Sequence, residues 1–124
     1  MTANTPATRK AKGRNLQNKV VSLIRELFPS LSERDVVSVP MGVNDVDIRL
    51  SEAAFKQFPF AVECKATESL NIWNALKQAE AESRKGTPLL VFKRNRSEVY
   101  CALKLSDFLS LIKGDLGNDN QREG

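Results

Sequence analysis

Glu63 and Lys65 stand two positions apart in the run Phe60-Ala61-Val62-Glu63-Cys64-Lys65. In an extended strand, residues two apart project from one face. A carboxylate and an ammonium therefore share one side, while Phe60, Val62 and Cys64 share the other. A second run, Asp45-Val46-Asp47-Ile48-Arg49-Leu50, alternates polar and apolar residues. It reads as a strand with Asp45, Asp47 and Arg49 on its polar face. If the two strands pair, an aspartate, a glutamate and a lysine meet on one patch. Two carboxylates supplemented by water are the usual protein share of a Mg²⁺ site. Such an ion orients and acidifies water and neutralises charge developing on a phosphate. A lysine beside it is suited to hold the attacking water or the scissile phosphate. Cys64 then points into the core while its backbone carbonyl stays near the metal. The alternative is a solvated sheet face with ordinary ion pairs, since Glu-x-Lys alone is common.

The elements that must position these residues are legible as hydrophobic periodicity. Leu16, Val20, Leu23, Ile24 and Leu27 form one stripe of a helix over 14–28, stopped by Pro29. Asp35–Val39 is a short strand closed by Pro40, and Met41–Asn44 is a turn before the aspartate strand. Ser51–Phe55 suits a single helical turn, and Pro59 precedes the Glu-x-Lys strand. Leu70–Lys85 reads as a helix with Leu70, Trp73, Leu76 and Ala79 on one stripe, ended by Gly86. Trp73 is expected in the core rather than stacked on a ligand. Leu89–Phe92 is a near-continuous apolar run, the mark of a strand covered on both faces. Lys93–Ser97 is a basic turn, Val99–Leu105 a further strand, and Asp107–Lys113 a last helix capped by Ser106. A helix between two strands implies a right-handed parallel crossover, whereas the short links among the first three strands imply antiparallel pairing. The class is α/β, with a mixed central sheet flanked by helices.

Composition narrows the chemistry. The 124 residues suffice for one domain, and 41% hydrophobic with 27% charged residues is a globular balance. Histidine is absent, which excludes Ser-His-Asp triads, Cys-His pairs and histidine-metal centres. Two cysteines, Cys64 and Cys101, make neither a four-thiolate zinc site nor a disulfide framework. Both are expected to be buried free thiols of a reducing cytosol. No apolar run approaches a membrane span, and the N-terminus lacks a signal-peptide core, so a cytoplasmic protein is expected. The net charge of +4 is uneven. Arg9, Lys10, Lys12, Arg14, Lys19 and Arg25 fall in the first 25 residues with no acid, leaving the remainder slightly negative. A basic arm on a near-neutral body suits a polyanion such as nucleic acid, or serves as a solubilising tail.

Taken together, Asp47, sixteen positions before Glu63-Cys64-Lys65, resembles the signature of the PD-(D/E)xK nuclease superfamily. The element order resembles its core of a helix, three antiparallel strands, a helix and a parallel strand. The closer resemblance is to small phage-encoded nucleases related to Holliday-junction resolvases. It is carried by Lys12-Gly13-Arg14, Met41-Gly42, Asp47-Ile48-Arg49-Leu50-Ser51, Phe58-Pro59-Phe60, Glu63-Cys64-Lys65, Trp73 and Gln78-Ala79, across residues 12–94. Val46 replaces the proline that often precedes the aspartate of this signature.

The resemblance implies a restriction-endonuclease-like domain over 13–114, between a flexible basic arm (1–12) and a polar tail (115–124). It implies Asp47, Glu63 and the Cys64 carbonyl as ligands of Mg²⁺, with Mn²⁺ able to substitute. Lys65 would position or deprotonate the water. Asp45 is the rival to Asp47, and the motif register favours Asp47. Resolvases carry a glutamate four positions after a Lys-Gly pair on the first helix. Here that position is Gln17, which offers an oxygen without charge. Glu26, nine positions later, is read as a solvated charge. Gln78 corresponds to a glutamine that supports the lysine or a DNA phosphate in relatives; an exposed helix glutamine is the alternative. Lys93, Arg94 and Arg96, with Arg9, Lys10, Lys12 and Arg14, are candidates for phosphate contacts. The implied activity is hydrolysis of phosphodiester bonds in DNA, in branched substrates, by a homodimer. A restriction- or recombination-type nuclease on duplex or single-stranded DNA, or an inactive DNA-binding module, are the alternatives.

Overall fold

The computed structural model describes residues 5–40 and 46–114. The expected turn at 41–44, Asp45 and the expected tail at 115–124 lie outside the described residues. The first helix, α1, runs from Pro6 to Leu27, eight residues earlier than the apolar stripe indicates. Thr5 starts it, its side chain accepting a hydrogen bond from the Thr8 N–H at 3.1 Å, and Pro6 supplies a pre-set φ at the first helical positions. Residues 6–12 are thus helical, so the described part of the expected basic arm is the start of α1. The buried stripe is Leu16, Gln17, Val20, Val21 and Ile24, while Leu23 and Leu27 face outward.

Strands β1 (Val36–Ser38) and β2 (Ile48–Leu50) form an antiparallel pair with Ser38 opposite Ile48. Asp35 anchors the entry to this hairpin. Its carboxylate accepts from Ser51 Oγ at 2.6 Å and from Ser32 N at 2.7 Å, which holds it below the usual carboxylate range. A short helix α2 (Glu52–Gln57), capped by Ser51, leads into β3 (Phe60–Ala66). The crossover helix α3 (Ile72–Glu82) carries the chain to β4 (Thr87–Lys93), which pairs parallel to β3 as the helix-between-strands pattern requires. Strand β5 (Tyr100–Ala102) adds antiparallel to β4. The last helix, α4, spans Leu105–Lys113.

The expected continuous three-stranded meander is two sheets, β1-β2 and β3-β4-β5. Asp47 bridges them. The Asp47 N–H donates to the Val62 carbonyl at 3.0 Å, and the Asp47 carboxylate accepts from the Cys64 N–H at 2.6 Å. A side chain thus occupies the next rung, where a ladder would place a backbone carbonyl.

The core lies between α1 and the sheets: Leu16, Val20, Val21 and Ile24 pack with Val36, Ile48, Ala54, Val62, Cys64 and Val91. On the opposite face α3 packs on β3 and β4, and its buried residues are Ala75 and Ala79. Two alanines let a helix approach a sheet closely. Trp73 is 74% exposed, so the expectation that it is core is corrected. The buried phase of α3 runs through its alanines instead of its largest apolar residue. Cys101 is exposed on the short edge strand and only Cys64 is buried; neither is in a disulfide. Helix α4 begins at Leu105 after Lys104, without a side-chain cap, so Ser106 is helical rather than a cap.

Gly86 closes the crossover with φ +95°. A Cβ there would lie 2.7 Å from Phe55 Cε1 and 3.1 Å from the Pro59 carbonyl oxygen. Both backbone strain and a clash follow from a side chain. Gly86→Ala is expected to destabilise the fold by roughly 1–3 kcal/mol. Thermal melts check this; an unchanged Tm would contradict it.

Candidate active site

Strand β3 sits between β4 and the Asp47 junction, with α1 on one face and α3 on the other, so a polar residue in its middle must be buried. Glu63 is that residue, at 4% exposure. Its neighbour Lys65 is partly open, and Lys65 Nζ lies 3.5 Å from Glu63 Oε2. The other oxygen, Glu63 Oε1, is buried and receives no N–H or O–H donor, and the neighbouring Glu82 carboxyl can bond to Glu63 only by sharing a proton with it. An unpartnered carboxylate oxygen in the interior is costly unless it is protonated or meets a cation.

The surroundings add negative charge. Burial, the charge of Asp47 and the adjacent Glu82 carboxylate together push Glu63 up to about 8, against a smaller opposing effect of Lys65. Asp47 is also raised, chiefly by burial, although the Cys64 N–H and Lys65 favour its ionised form and Glu82 opposes it. Carboxylates raised by burial and by neighbouring like charge in a partly closed site make it a candidate functional centre.

Glu82 escapes a reading that centres the α3 stripe on Trp73. It lies three positions after Ala79 and seven after Ala75, so the alanine phase turns it toward the sheet. Gln78 Nε2 donates to Glu82 Oε2 at 3.2 Å, so Gln78 reaches the site through Glu82. Gln17, buried on α1, accepts from Ser38 Oγ at 2.8 Å and ties α1 to β1, beside the β2 strand that follows Asp47. Glu26 is exposed, as expected.

The donor set suits a hard divalent cation. Two carboxylates supply oxygens, and burial with the charges of Asp47 and Glu63 pushes the Cys64 thiol far up, so no thiolate competes. In an extended strand a residue's N–H and C=O leave on one side, so the Cys64 carbonyl issues from the edge that faces Asp47. Among the described residues no three Asp, Glu or Cys side chains form a metal cage by themselves. The arrangement fits an ion that keeps several waters, as Mg²⁺ does.

The basic candidates divide. Lys12, from α1, Lys93, at the end of β4, and Arg94, in the β4–β5 turn, line one cavity together with Lys19, which the sequence does not single out for phosphate. Lys10 and Arg14 are exposed on the first turns of α1, as is Arg9. Arg96 is exposed at the turn, with φ +64°.

A mixed α/β domain with an aspartate at the strand junction and Glu-x-Lys on the adjoining strand is the architecture of a restriction-endonuclease-like nuclease. The chain belongs to the family described as "Phage putative PDDEXK endonuclease", whose family model matches residues 8–118. Nucleases of this class generally use divalent metal ions and act on DNA. No curated protein and no solved structure matches the chain.

The raised Glu63 pKa has a defined consequence for stability. Between the ordinary carboxylate value of 4.5 and about 8, the folded state holds a proton that the unfolded state has released. Stability contributed by that proton is complete below pH 4.5 and is lost as pH rises to about 8. In EDTA, the wild-type Tm should therefore fall from pH 5 to pH 8 more steeply than that of Glu63→Gln. The variant should be the more stable at pH 8, by on the order of a few kcal/mol. Parallel Tm–pH profiles would contradict the assignment of a buried, destabilised carboxylate.

Proposed function

We propose that this chain is a Mg²⁺-dependent endodeoxyribonuclease, with Mn²⁺ able to substitute, that cuts branched DNA as a homodimer in the host cytoplasm. The observation that carries the reading is the buried Glu63 carboxylate with one oxygen unpartnered, beside Asp47 and Lys65. Asp47, Glu63 and the Cys64 carbonyl would hold the metal, which when bound polarises a phosphate and lowers the pKa of water. Lys65 Nζ, tethered by Glu63, positions the attacking water or accepts its proton. Asp47 is itself oriented by the Cys64 N–H, so the two carboxylates are fixed to one strand edge. Gln78 acts as a positioning residue through Glu82, and Gln17 through Ser38. Arg9, Lys10, Lys12, Arg14, Lys93, Arg94 and Arg96 contact phosphates, which steers the polyanion to the site.

The homodimer is supported by α4. Leu105, Phe108, Leu109 and Ile112 repeat at helical spacing and are 45–70% exposed, and α4 buries no residue. Such a stripe is self-complementary across a two-fold axis, and paired cuts in a four-way junction need two active sites. The cytoplasmic reading accords with the absence, among the described residues, of any helix long and apolar enough to cross a membrane.

Two experiments test this. Four-way, linear duplex and single-stranded DNA are incubated side by side with Mg²⁺, Mn²⁺ or EDTA. Cleavage should require metal and favour the branched form. Glu63→Gln and Asp47→Asn should lose at least about 100-fold. Lys65→Arg, whose guanidinium stays protonated, should fail nearly as badly as Lys65→Ala if Lys65 is the base, and should retain part of the rate if it acts only by charge. Wild-type cleavage by Glu63→Gln would overturn the site, and equal cleavage of all three DNAs would overturn the branched preference. Sedimentation of a Leu109→Lys/Ile112→Lys double variant should give a monomer where the wild type is a dimer. A monomeric wild type would remove the dimer.

A further inference from the structure

The sheet register sets an aromatic row beside the candidate active site. Lys65 on β3 is opposite Phe92 on β4, and Phe92 is opposite Tyr100 on β5. Cross-strand partners project from the same face, so Lys65, Phe92 and Tyr100 form a line across the sheet. Strand spacing puts Tyr100 about 10 Å from Lys65. The two rings stack, with centroids 6.1 Å apart and planes at 30°, and Tyr100 is 57% exposed. They border a cavity of about 280 Å³ whose other walls include Leu70, Ile72, Thr67 and one acid, Glu68, whose carboxylate accepts from the Asn95 N–H.

Directly across the turn lies a cavity of opposite character. Its volume is about 350 Å³, and it holds Lys12, Lys19, Lys93 and Arg94 against one acid, Glu98. Among the described residues none of these four cations is in an ion pair. The two cavities share Lys93, Arg94 and Ser97. That shared ridge is held firmly. The Thr67 N–H donates to the Lys93 carbonyl at 3.1 Å, the Asn95 N–H to Glu68 at 2.6 Å, and the Arg94 N–H to Ser97 Oγ at 3.0 Å.

An apolar, aromatic-walled recess beside an unpaired cationic one, separated by a single ridge, matches one nucleotide: a base and its phosphate. We propose that this pair of cavities is a subsite for an unpaired nucleotide next to the cut. The base lies against Tyr100, and the backbone phosphate crosses the Lys93–Arg94 ridge into the basic cavity. A base within a duplex is paired and stacked on its neighbours, so its face is not free to enter the recess. The substrate class is therefore DNA with a single-stranded arm, flap or opened junction. This inference rests on the nuclease reading for the identity of the ligand, but its test needs no cleavage.

Binding of the full chain in EDTA is measured by fluorescence anisotropy. The probes are a labelled thymidine oligomer of about 15 nucleotides and a blunt duplex of similar length. Tyr100→Ala should lower the ratio of single-strand to duplex affinity about 10-fold, and Tyr100→Trp should restore or raise it. Lys93→Ala/Arg94→Ala should flatten the salt dependence of single-strand binding, by a slope of about 0.7 for each phosphate left without its cation. Thermal melts accompany each variant, and if Tyr100→Ala fails to fold, the Tyr100→Trp ratio decides by the same criterion. A ratio that no Tyr100 substitution moves would overturn the subsite. So would a change in sedimentation with Tyr100→Ala, which would assign the aromatic row to association between copies. Tyr100-dependent binding without metal-dependent cleavage would instead leave the subsite standing and reject the nuclease reading.

Discussion

The structure turns on a carboxylate placed where a carboxylate is hard to keep. Glu63 lies in the middle of a strand covered by a helix on each face, with one oxygen unpartnered and with Asp47 and Glu82 adding like charge. An ordinary core would put an apolar residue there. The neighbouring elements are arranged around this exception. Ala75 and Ala79 bring α3 close to β3 and β4, which excludes water from Glu63 and directs Glu82 toward it. Asp47 substitutes its carboxylate for a backbone rung, which breaks the sheet into two and fixes its own position on the Cys64 N–H. The cost in stability is intelligible if a divalent cation is the missing partner.

The same junction explains what is legible in the sequence. Period-two alternation in Phe60–Lys65 puts Glu63 and Lys65 on one face of β3, because strand periodicity is a local property; it does not show that α3 buries that face, nor that β2 begins only at Ile48, after Asp47. The parallel pairing of β3 and β4 follows from the helix between them. Register between strands is not local. Nothing in the sequence aligns Lys65 with Phe92 and Tyr100, so the aromatic row emerges only from the folded sheet. The phase of α3 is hidden for a related reason. Trp73 is the largest apolar residue on that helix, but close helix–sheet packing selects the small residues, which turns Trp73 outward and Glu82 inward. The start of α1 is hidden because residues 6–15 carry no apolar stripe, and the helical state there rests on Thr5 and Pro6.

Charge is distributed with the same logic. Three carboxylates, Asp47, Glu63 and Glu82, meet near the junction of the two sheets, and four cations, Lys12, Lys19, Lys93 and Arg94, line a cavity between α1 and the end of β4. Ala66, which lines that cavity, is the residue after Lys65. Ala66 faces the α1 side of β3, opposite Glu63 and Lys65, so the basic cavity and the carboxylates lie on the two faces of one strand. Cationic guidance and an anionic centre oppose each other electrostatically, and a divalent cation held by the carboxylates would reconcile them by reversing the local sign. The exposed apolar stripe of α4 stands apart from both.

If Glu63 is protonated in the metal-free protein, a divalent cation must displace its proton to bind there. Calorimetric titration of Mn²⁺ into the protein, repeated in buffers of different ionisation enthalpy, counts the protons that binding displaces. With Glu63 near 8, binding at pH 7 should release close to one proton per metal, fewer at pH 9, and Glu63→Gln should abolish both the release and most of the affinity. Metal binding that releases no proton at pH 7, or that persists unchanged in Glu63→Gln, would contradict the account.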